Sequence, residues 1–423
     1  MAFDLTWTVK IADCGGSLDV TSYVFDGLVD MNAPIGQQGR STAQITINNQ
    51  SGAFTPFGGG TYANVNWFAK ALVIRASSVS TGQDNIVYSG LITDFTVNNE
   101  SKFQSTVTLV ANDFLTIAGR TNSDTLFFNP LNDFASDMIN YMIPGGTPLI
   151  GSYFYPIQTP FVGGTSSSII STSSATAVGG RCSSAGLQEG RLSDWINNQI
   201  MPSLPGTIFM DGYTNTATKW TWEGQVIDRT LNRTDAGQKT YSFVDKNATS
   251  GEIPYSAIDV NFALDVLTNS AVCTNTFAYS ITKTDLDSGN LYGIRTRNYA
   301  SLINTFDVDT NNVAEFWANR YSVPRYIPAS IGTSYAVLRG NAVDDGVALT
   351  AFIDLLTART ALWNRIGVKY QIAGMNDSAI AQVVANSRRI TFNPSNTTIT
   401  LGVVAGVDNQ SFILDSTTYG ILG

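Results

Sequence analysis

The sequence predicts a mainly β protein with small α+β parts, and three observations carry that prediction. Apolar and polar residues alternate with period two in segment after segment, as in Leu5-Thr6-Trp7-Thr8-Val9-Lys10-Ile11 and Ala43-Gln44-Ile45-Thr46-Ile47-Asn48. Charged residues make up only 13% of the chain, against roughly 25% in soluble proteins, and Ser, Thr, Asn and Gly stand in their place. Hydrophobic residues still reach 43%, enough to bury a core, and 423 residues exceed one ordinary core at about 150 residues per domain.

The first 120 residues give the clearest elements. After the two alternating segments above, Asn49-Gln50-Ser51-Gly52 supplies turn chemistry. Further strands are expected at Leu72 to Ala76, Ile86 to Val97 and Phe103 to Val110, the last running into Asn112-Asp113 as caps of a short helix ending near Gly119. Five strands and one short helix read as a small closed or sandwiched antiparallel sheet. Burial is expected for Leu5, Trp7, Val9, Ile45, Ile47, Val107 and Leu109, because a one-residue slip would turn every side chain to solvent.

The middle is less regular. Asp133 to Ile143 places Phe134, Met138, Tyr141 and Met142 at helical spacing before Pro144-Gly145-Gly146. Residues 144–186 read as one long loop, rich in Ser, Thr and Gly, and are expected outside any barrel. Ser193 caps a second expected helix with Trp195, Ile196, Gln199 and Ile200, closed by Pro202. Strands are expected around Ile208 to Met210, Lys219 to Trp222 and Lys239 to Val244. In the last third, Asn312 to Tyr321 carries Val313, Phe316, Trp317 and Arg320 as a helix with Pro324 beyond it. A hairpin runs from Arg388-Arg389-Ile390-Thr391-Phe392 through Asn393-Pro394-Ser395-Asn396 to Thr397-Thr398-Ile399-Thr400-Leu401.

Composition excludes much chemistry. With no histidine, Ser-His and Cys-His triads, histidine bases and His-ligated metals are ruled out. The net charge of −9 argues against tight phosphate binding. Cys14, Cys182 and Cys273 are odd in number, far apart and without a CxxC pair, so three buried free thiols are expected rather than a disulfide framework or zinc site. The opening residues lack a basic stretch followed by an apolar run, so no secretory signal is expected. The longest charge-free segment, Met138 to Gly180, is broken by Pro144, Gly145, Gly146, Pro148, Pro156 and Pro160 and cannot span a bilayer as a helix. These features predict folding in a cytoplasm and no membrane span.

Nucleotide, serine-hydrolase and zincin motifs are absent. Asp285-Leu286-Asp287-Ser288-Gly289-Asn290 opens like a calcium loop but has Asn290 at the sixth place and Thr296 at the twelfth. Asp307-Val308-Asp309-Thr310-Asn311 fails similarly, with Ala318 at the twelfth, and solvated turns are the plainer expectation for both. Asp344-Asp345 gives no local sign of a catalytic carboxylate pair. Trp and Tyr sit mostly in alternating strands or on helix faces, where core packing explains them better than sugar stacking. No enzyme, no catalytic, cofactor-binding or metal site, and no cofactor is expected.

The run Gly15-Gly16-Ser17-Leu18-Asp19-Val20-Thr21-Ser22-Tyr23-Val24 resembles the opening of bacteriophage minor tail proteins of the baseplate or tail-tip hub family. Further short resemblances follow in the family's order. They are Gly39-Arg40-Ser41-Thr42-Ala43 through Gly52-Ala53-Phe54-Thr55-Pro56, Leu291-Tyr292-Gly293-Ile294-Arg295-Thr296 with the 312–321 helix, and Phe412-Ile413-Leu414-Asp415 through Tyr419-Gly420-Ile421-Leu422. Residues 144–186 and 327–360 match nothing in the family. The resemblance implies two tail-tube-like antiparallel β-barrels plus a middle domain. The implied division is an N-terminal barrel over 1–120, a middle α+β domain over 121–250 with the 144–186 loop exposed, and a C-terminal barrel-containing region over 251–423.

On that topology the strands around Ala271 to Ile281 and the 389–401 hairpin would share one sheet, with the 312–321 helix on the same domain. The implied function is a structural virion protein, the hub at the distal end of a phage tail. It would join the tail tube to the tail tip or fibres and line the DNA exit channel. Implied partners are further copies of the chain in a homotrimer, the tail tube or distal tail protein, the tape measure protein, and tip or fibre proteins. DNA would pass without specific binding, through a channel wall carrying more Asp and Glu than Lys and Arg. The implied location is the virion tail, assembled in the host cytoplasm. The alternative is a distal tail or receptor-binding protein with a carbohydrate-binding region. A surface-layer shell protein also suits the composition, but the missing signal counts against it.

Overall fold

The computed structural model describes residues 4–13, 16–32, 37–57, 59–63, 65, 67, 70–101, 104–113, 122–127, 133–134, 181–182, 187–203, 206–212, 224–230, 240–245, 248–261, 267–304, 306–320, 322, 327–341, 345–356, 365–370, 379–393, 396–405, 412–414 and 417–419. The protein is mainly β. Its first segment forms β1 (Thr6–Asp13), β2 (Gly16–Asp19), β3 (Val24–Asn32), β4 (Gln37–Gln38), β5 (Arg40–Asn48), β6 (Ala71–Ser78), β7 (Gln83–Ser101) and β8 (Gln104–Asn112). In β5 buried and solvent-facing residues alternate without a break, placing Ala43, Ile45 and Ile47 inside and Gln44 and Asn48 outside. Val9, Val107 and Leu109 are buried as expected, while Leu5 and Trp7 are half-buried at the margin of the same core. The β6–β7 hairpin is pinned inside by Arg75, whose guanidinium meets the Asp84 carboxylate at 2.7 Å.

The middle contributes β9 (Asn122–Phe127), β10 (Asp133–Phe134), β11 (Arg181–Cys182), β12 (Leu187–Arg191), α1 (Leu192–Trp195), a π-helical turn over Ile196–Ile200, α2 (Met201–Ser203), β13 (Gly206–Gly212) and β14 (Gly224–Thr230). Two local expectations change here. Asp133 and Phe134 are not the start of a helix but pair with Cys182 and Arg181, a partner too far along the chain for local periodicity to reveal. Pro202 does not lie beyond the second helix but is the middle residue of its last segment, Met201–Ser203. Asp113 serves as a cross-strand acceptor for the Ser41 amide. The expected helix after it, the expected strand at Lys219 to Trp222 and the 144–186 loop before Arg181 lie outside the described residues.

The last segment carries β15 (Thr240–Val244), β16 (Ile253–Pro254), β17 (Ala257–Asn261), β18 (Ser270–Asn275), β19 (Ser280–Thr284), α3 (Leu286–Tyr292), β20 (Thr296–Leu302), α4 (Asp307–Arg320), β21 (Ile327–Ser334), α5 (Tyr335–Asn341), α6 (Gly346–Leu356), β22 (Arg365–Tyr370), β23 (Ala379–Asn393), β24 (Asn396–Ala405), β25 (Phe412–Leu414) and β26 (Thr417–Tyr419). The expectation that the 389–401 hairpin shares a sheet with the strands near 271–281 is wrong. β18, β19 and β20 form their own three-stranded sheet, order β19-β18-β20, covered by α4. There Val313, Ala314, Trp317 and Ala318 pack on Ala271 and Cys273, and Trp317 stacks on Tyr299 at 5.1 Å. The β23–β24 hairpin instead joins the first segment: Ile390, Thr391 and Phe392 stand opposite Val29, Leu28 and Gly27 of β3.

The reason is core completion. The inward side chains of the hairpin, Ile390, Phe392, Ile399 and Leu401, belong to the cluster that holds Val29, Ile45, Ile47 and Leu109. One sheet therefore runs β16-β15-β22-β23-β3-β5-β8-β7-β6-β1-β2, with β24, β21 and β17 branching from β23. Among the described residues this path does not close by backbone pairing, but it rolls until side chains of β1 reach β23 and β24. Trp7 stacks on Phe392 with ring centroids 4.1 Å apart, and its indole N–H donates to the Thr397 hydroxyl at 3.0 Å. Buried Arg388 crosses the interior, donating to the Val87 carbonyl at 3.2 Å and to the Leu356 carbonyl. Among the described residues no helix is long and apolar enough to cross a membrane.

Candidate functional site: a polar sheet face

The inward phase of this sheet is apolar, and its outward phase is a broad surface open to solvent. Cross-strand register assembles it row by row. Thr400, Arg389, Asp30, Thr42 and Asn112 form one row; Thr398, Thr391, Leu28, Gln44, Val110 and Asp94 form the next. Asp26, Thr46, Thr108 and Thr96 continue it, and Ser330 with Asp259 extends it over β21 and β17. Apart from Asn112, which is buried, these side chains are half or fully exposed.

Hydroxyl and amide groups bond to each other along the face. Asn98 donates to Thr108 at 3.1 Å, Asn112 to Thr93 at 2.6 Å, and the Thr391 and Thr398 hydroxyls share a bond. Its charges are few and lean acidic. Among the described residues of these rows and of β5, Asp26, Asp30, Asp94 and Asp259 stand against Arg389 and Arg40, and Arg389 is engaged by Asp30 through two bonds of 3.1 and 2.6 Å. Asp259 accepts from the Ser330 hydroxyl and Asp94 from the Phe95 amide at 2.7 Å. A wall of this kind holds water and offers phosphate few positive charges.

The acidic motifs singled out in the sequence do other work. Asp285 is the N-cap of α3, its carboxylate accepting from the Ser288 amide at 3.1 Å. Asp307 and Asp309 lie in the first turn of α4. Asp345 precedes α6 and accepts from the amides of Val347 at 2.9 Å and Gly251 at 2.6 Å. In each case a carboxylate sits where helix amides point outward, which the helix dipole favours. Asp344 lies outside the described residues. Cys273 is buried, and loss of water pushes its thiol up to about 12. Cys14 lies outside the described residues, as does the side chain of Cys182.

No family model matches the sequence, and no curated protein matches it. Solved structures do. A tail protein from Neisseria meningitidis MC58 superposes with a TM-score of 0.55 at 10% identity, covering 95% of this chain and 97% of its own. The 43 kDa tail protein of prophage MuSo2 from Shewanella oneidensis gives 0.51 at 11% identity, covering 94% and 97%. The chain has a phage tail-protein fold. Both likenesses run almost end to end, so the joining of first and last strands into one sheet lies within the compared region.

The acids of the polar face carry no sequence motif. The only sign of them is phase: Asp26, Asp30, Asp94 and Asp259 fall on the outward positions of strands whose inward positions are apolar. Reading that sign requires knowing which strands are neighbours.

Proposed function

We propose that this chain is a structural hub protein of a phage tail rather than an enzyme, and that its polar sheet face lines the channel through which DNA leaves. The observation that supports the reading is the face itself, broad, hydroxyl-rich and acidic, on a fold shared with tail proteins. Duplex DNA gains affinity from each phosphate neutralised by Lys or Arg, so a wall with more carboxylates than guanidiniums lets it slide. A homotrimer would set such faces around one axis, with the tail tube above, tip or fibre proteins below and the tape measure protein as a further partner. The location is then the virion tail, with assembly in the host cytoplasm. Electron cryo-microscopy of assembled tails tests this directly. The expected result is the chain on the tail axis with β3, β5 and β23 facing the lumen; density for it off the axis overturns the proposal.

A further inference from the structure

The small sheet β19-β18-β20 and its helix α4 carry two exposed apolar ends of opposite charge. At one end the 275–279 turn is tied to the start of α4. Thr276 N–H donates to the Leu302 carbonyl at 2.8 Å, and Asn275 donates to the Thr310 hydroxyl at 3.3 Å. Buried Asn275 also accepts from the amides of Phe277 and Tyr279, both at 3.0 Å, and Ala278 takes a φ of 64°. A left-handed alanine is uncommon, and here the turn presents Phe277 to solvent. Phe277 is 60% exposed, Phe306 47% and Val308 61%, with Asp307 and Asp309 beside them. Among the described residues of this turn and of 301–310 there is no Lys or Arg.

The other end lies six residues of β18 away, about 20 Å. Asn269 and Ser270 donate to the Arg295 carbonyl, each at 3.2 Å, and Asp285 N–H donates to the Asn269 carbonyl at 2.8 Å, so residues 283–297 gather there. Leu286 is 69% exposed and Ile294 66%. Lys283, Arg295 and Arg297 accompany them, against Asp285, which caps α3, and Asp287. One end is purely acidic and the other has a cationic excess, each around bare aliphatic or aromatic side chains. Exposed apolar groups rimmed by charge mark protein contacts.

We infer that these ends bind each other head to tail, the Phe277/Phe306/Val308 end of one copy seating on the Leu286/Ile294 end of the next. The occupant is a second copy of this chain because the charge complement of each end is found on the other. Such a contact joins different patches on the two partners, so it propagates into a ring or an open filament rather than stopping at a two-fold dimer. It rests on the small sheet and not on the proposed lumen role of the polar face, and the two can fail separately.

The test is sedimentation velocity of the full chain across its soluble concentration range, with circular dichroism to verify folding. Asp307→Lys and Arg297→Asp each place like charges across the contact and are expected to weaken self-association about tenfold or more. The double variant Asp307→Lys with Arg297→Asp exchanges this pair of charges between the ends and is expected to associate again. Phe277→Ser weakens association without changing charge. A wild-type chain that stays monomeric, association that survives both single reversals, or a double variant no better than the singles overturns the inference. None of these outcomes bears on whether the polar face tolerates DNA.

Discussion

The joint between the two ends of the chain can be tested at one pair of residues. Gly27 of β3 stands directly opposite Phe392 of β23, and a Cβ on Gly27 would lie against the edge of the Phe392 ring, closer than van der Waals contact allows. Gly27→Ala therefore forces an overpacked contact and is expected to destabilise by about 1–3 kcal/mol. Phe392→Ala removes a buried ring that stacks on Trp7 and is expected to cost about 3–5 kcal/mol. The two losses should not add. With the ring gone, the methyl added at position 27 has room, and alanine within a strand gains about 0.5–1 kcal/mol over glycine. The double variant should thus be no less stable than Phe392→Ala alone, a coupling of about 1.5–4 kcal/mol. Urea denaturation of the four proteins by far-ultraviolet circular dichroism, with hydrogen exchange at the amides of β3 and β23, measures it. Losses that sum to within about 0.5 kcal/mol would refute the packing argument and with it the placement of the hairpin on β3.

Asp4 ties the chain start to the β6–β7 turn, accepting from the Ser78 hydroxyl at 2.8 Å, the Val79 amide at 2.7 Å and both donors of Ser80. These bonds, the Ser80 hydroxyl first, hold its carboxyl below the usual 3.8, so its stabilisation is present above that value and disappears as pH falls through the lower folded one. The urea midpoints of wild type and Asp4→Asn should therefore differ near pH 6 and converge as pH falls well below 3.8. In a Cys14→Ser, Cys182→Ser background, Cys273 should resist a thiol reagent at pH 8 until urea unfolds the chain, because burial lifts its pKa to about 12. For the same reason any stability it contributes is complete below the usual 9.0 and is lost as pH climbs toward 12; rapid labelling of the native state would contradict this. Wild type should not retard duplex DNA at low salt, whereas Asp26→Lys, Asp94→Lys and Asp259→Lys together should. The log–log salt slope should then approach about −0.9 for each phosphate engaged, and retardation by wild type would count against the lumen role.

Strand identity was legible in the sequence because alternation is local. Ala43 to Asn48 and Thr397 to Leu401 each announce one apolar and one polar face within a few residues. Neighbourhood was not legible, because nothing in Arg388 to Phe392 says that β3, rather than β18, lies beside it. The shared apolar phase of Ile390 and Val29 is what pairs them, and many strands offer such a phase. The same limit hid the polar face, whose Asp26 and Asp94 meaning appears only when rows from several strands are set side by side. The acidic pairs read as solvated turns, but they open helices. Carboxylates at alternate positions suit both a cation loop and a helix start, and Asp285 with its Ser288 partner settled into the second.

The arrangement also orders events during synthesis. Asp30 and Arg389 are 359 positions apart, and Trp7 and Thr397 are 390 apart. Until β23 and β24 emerge, the β23-facing edge of β3 has no partner, and Val29, Met31 and Trp7 lack the side chains that cover them. An unpaired strand edge beside uncovered apolar groups is a template for wrong pairing, and contacts of this separation form slowly. The first 120 residues, though they read as a barrel on their own, thus acquire their complete core only from the other end of the chain. The polar face spans both ends for the same reason, since β3 and β5 supply its centre and β23, β24 and β21 its flank. A surface built this way exists only on the finished chain, so a chain that has not completed its fold has no such face.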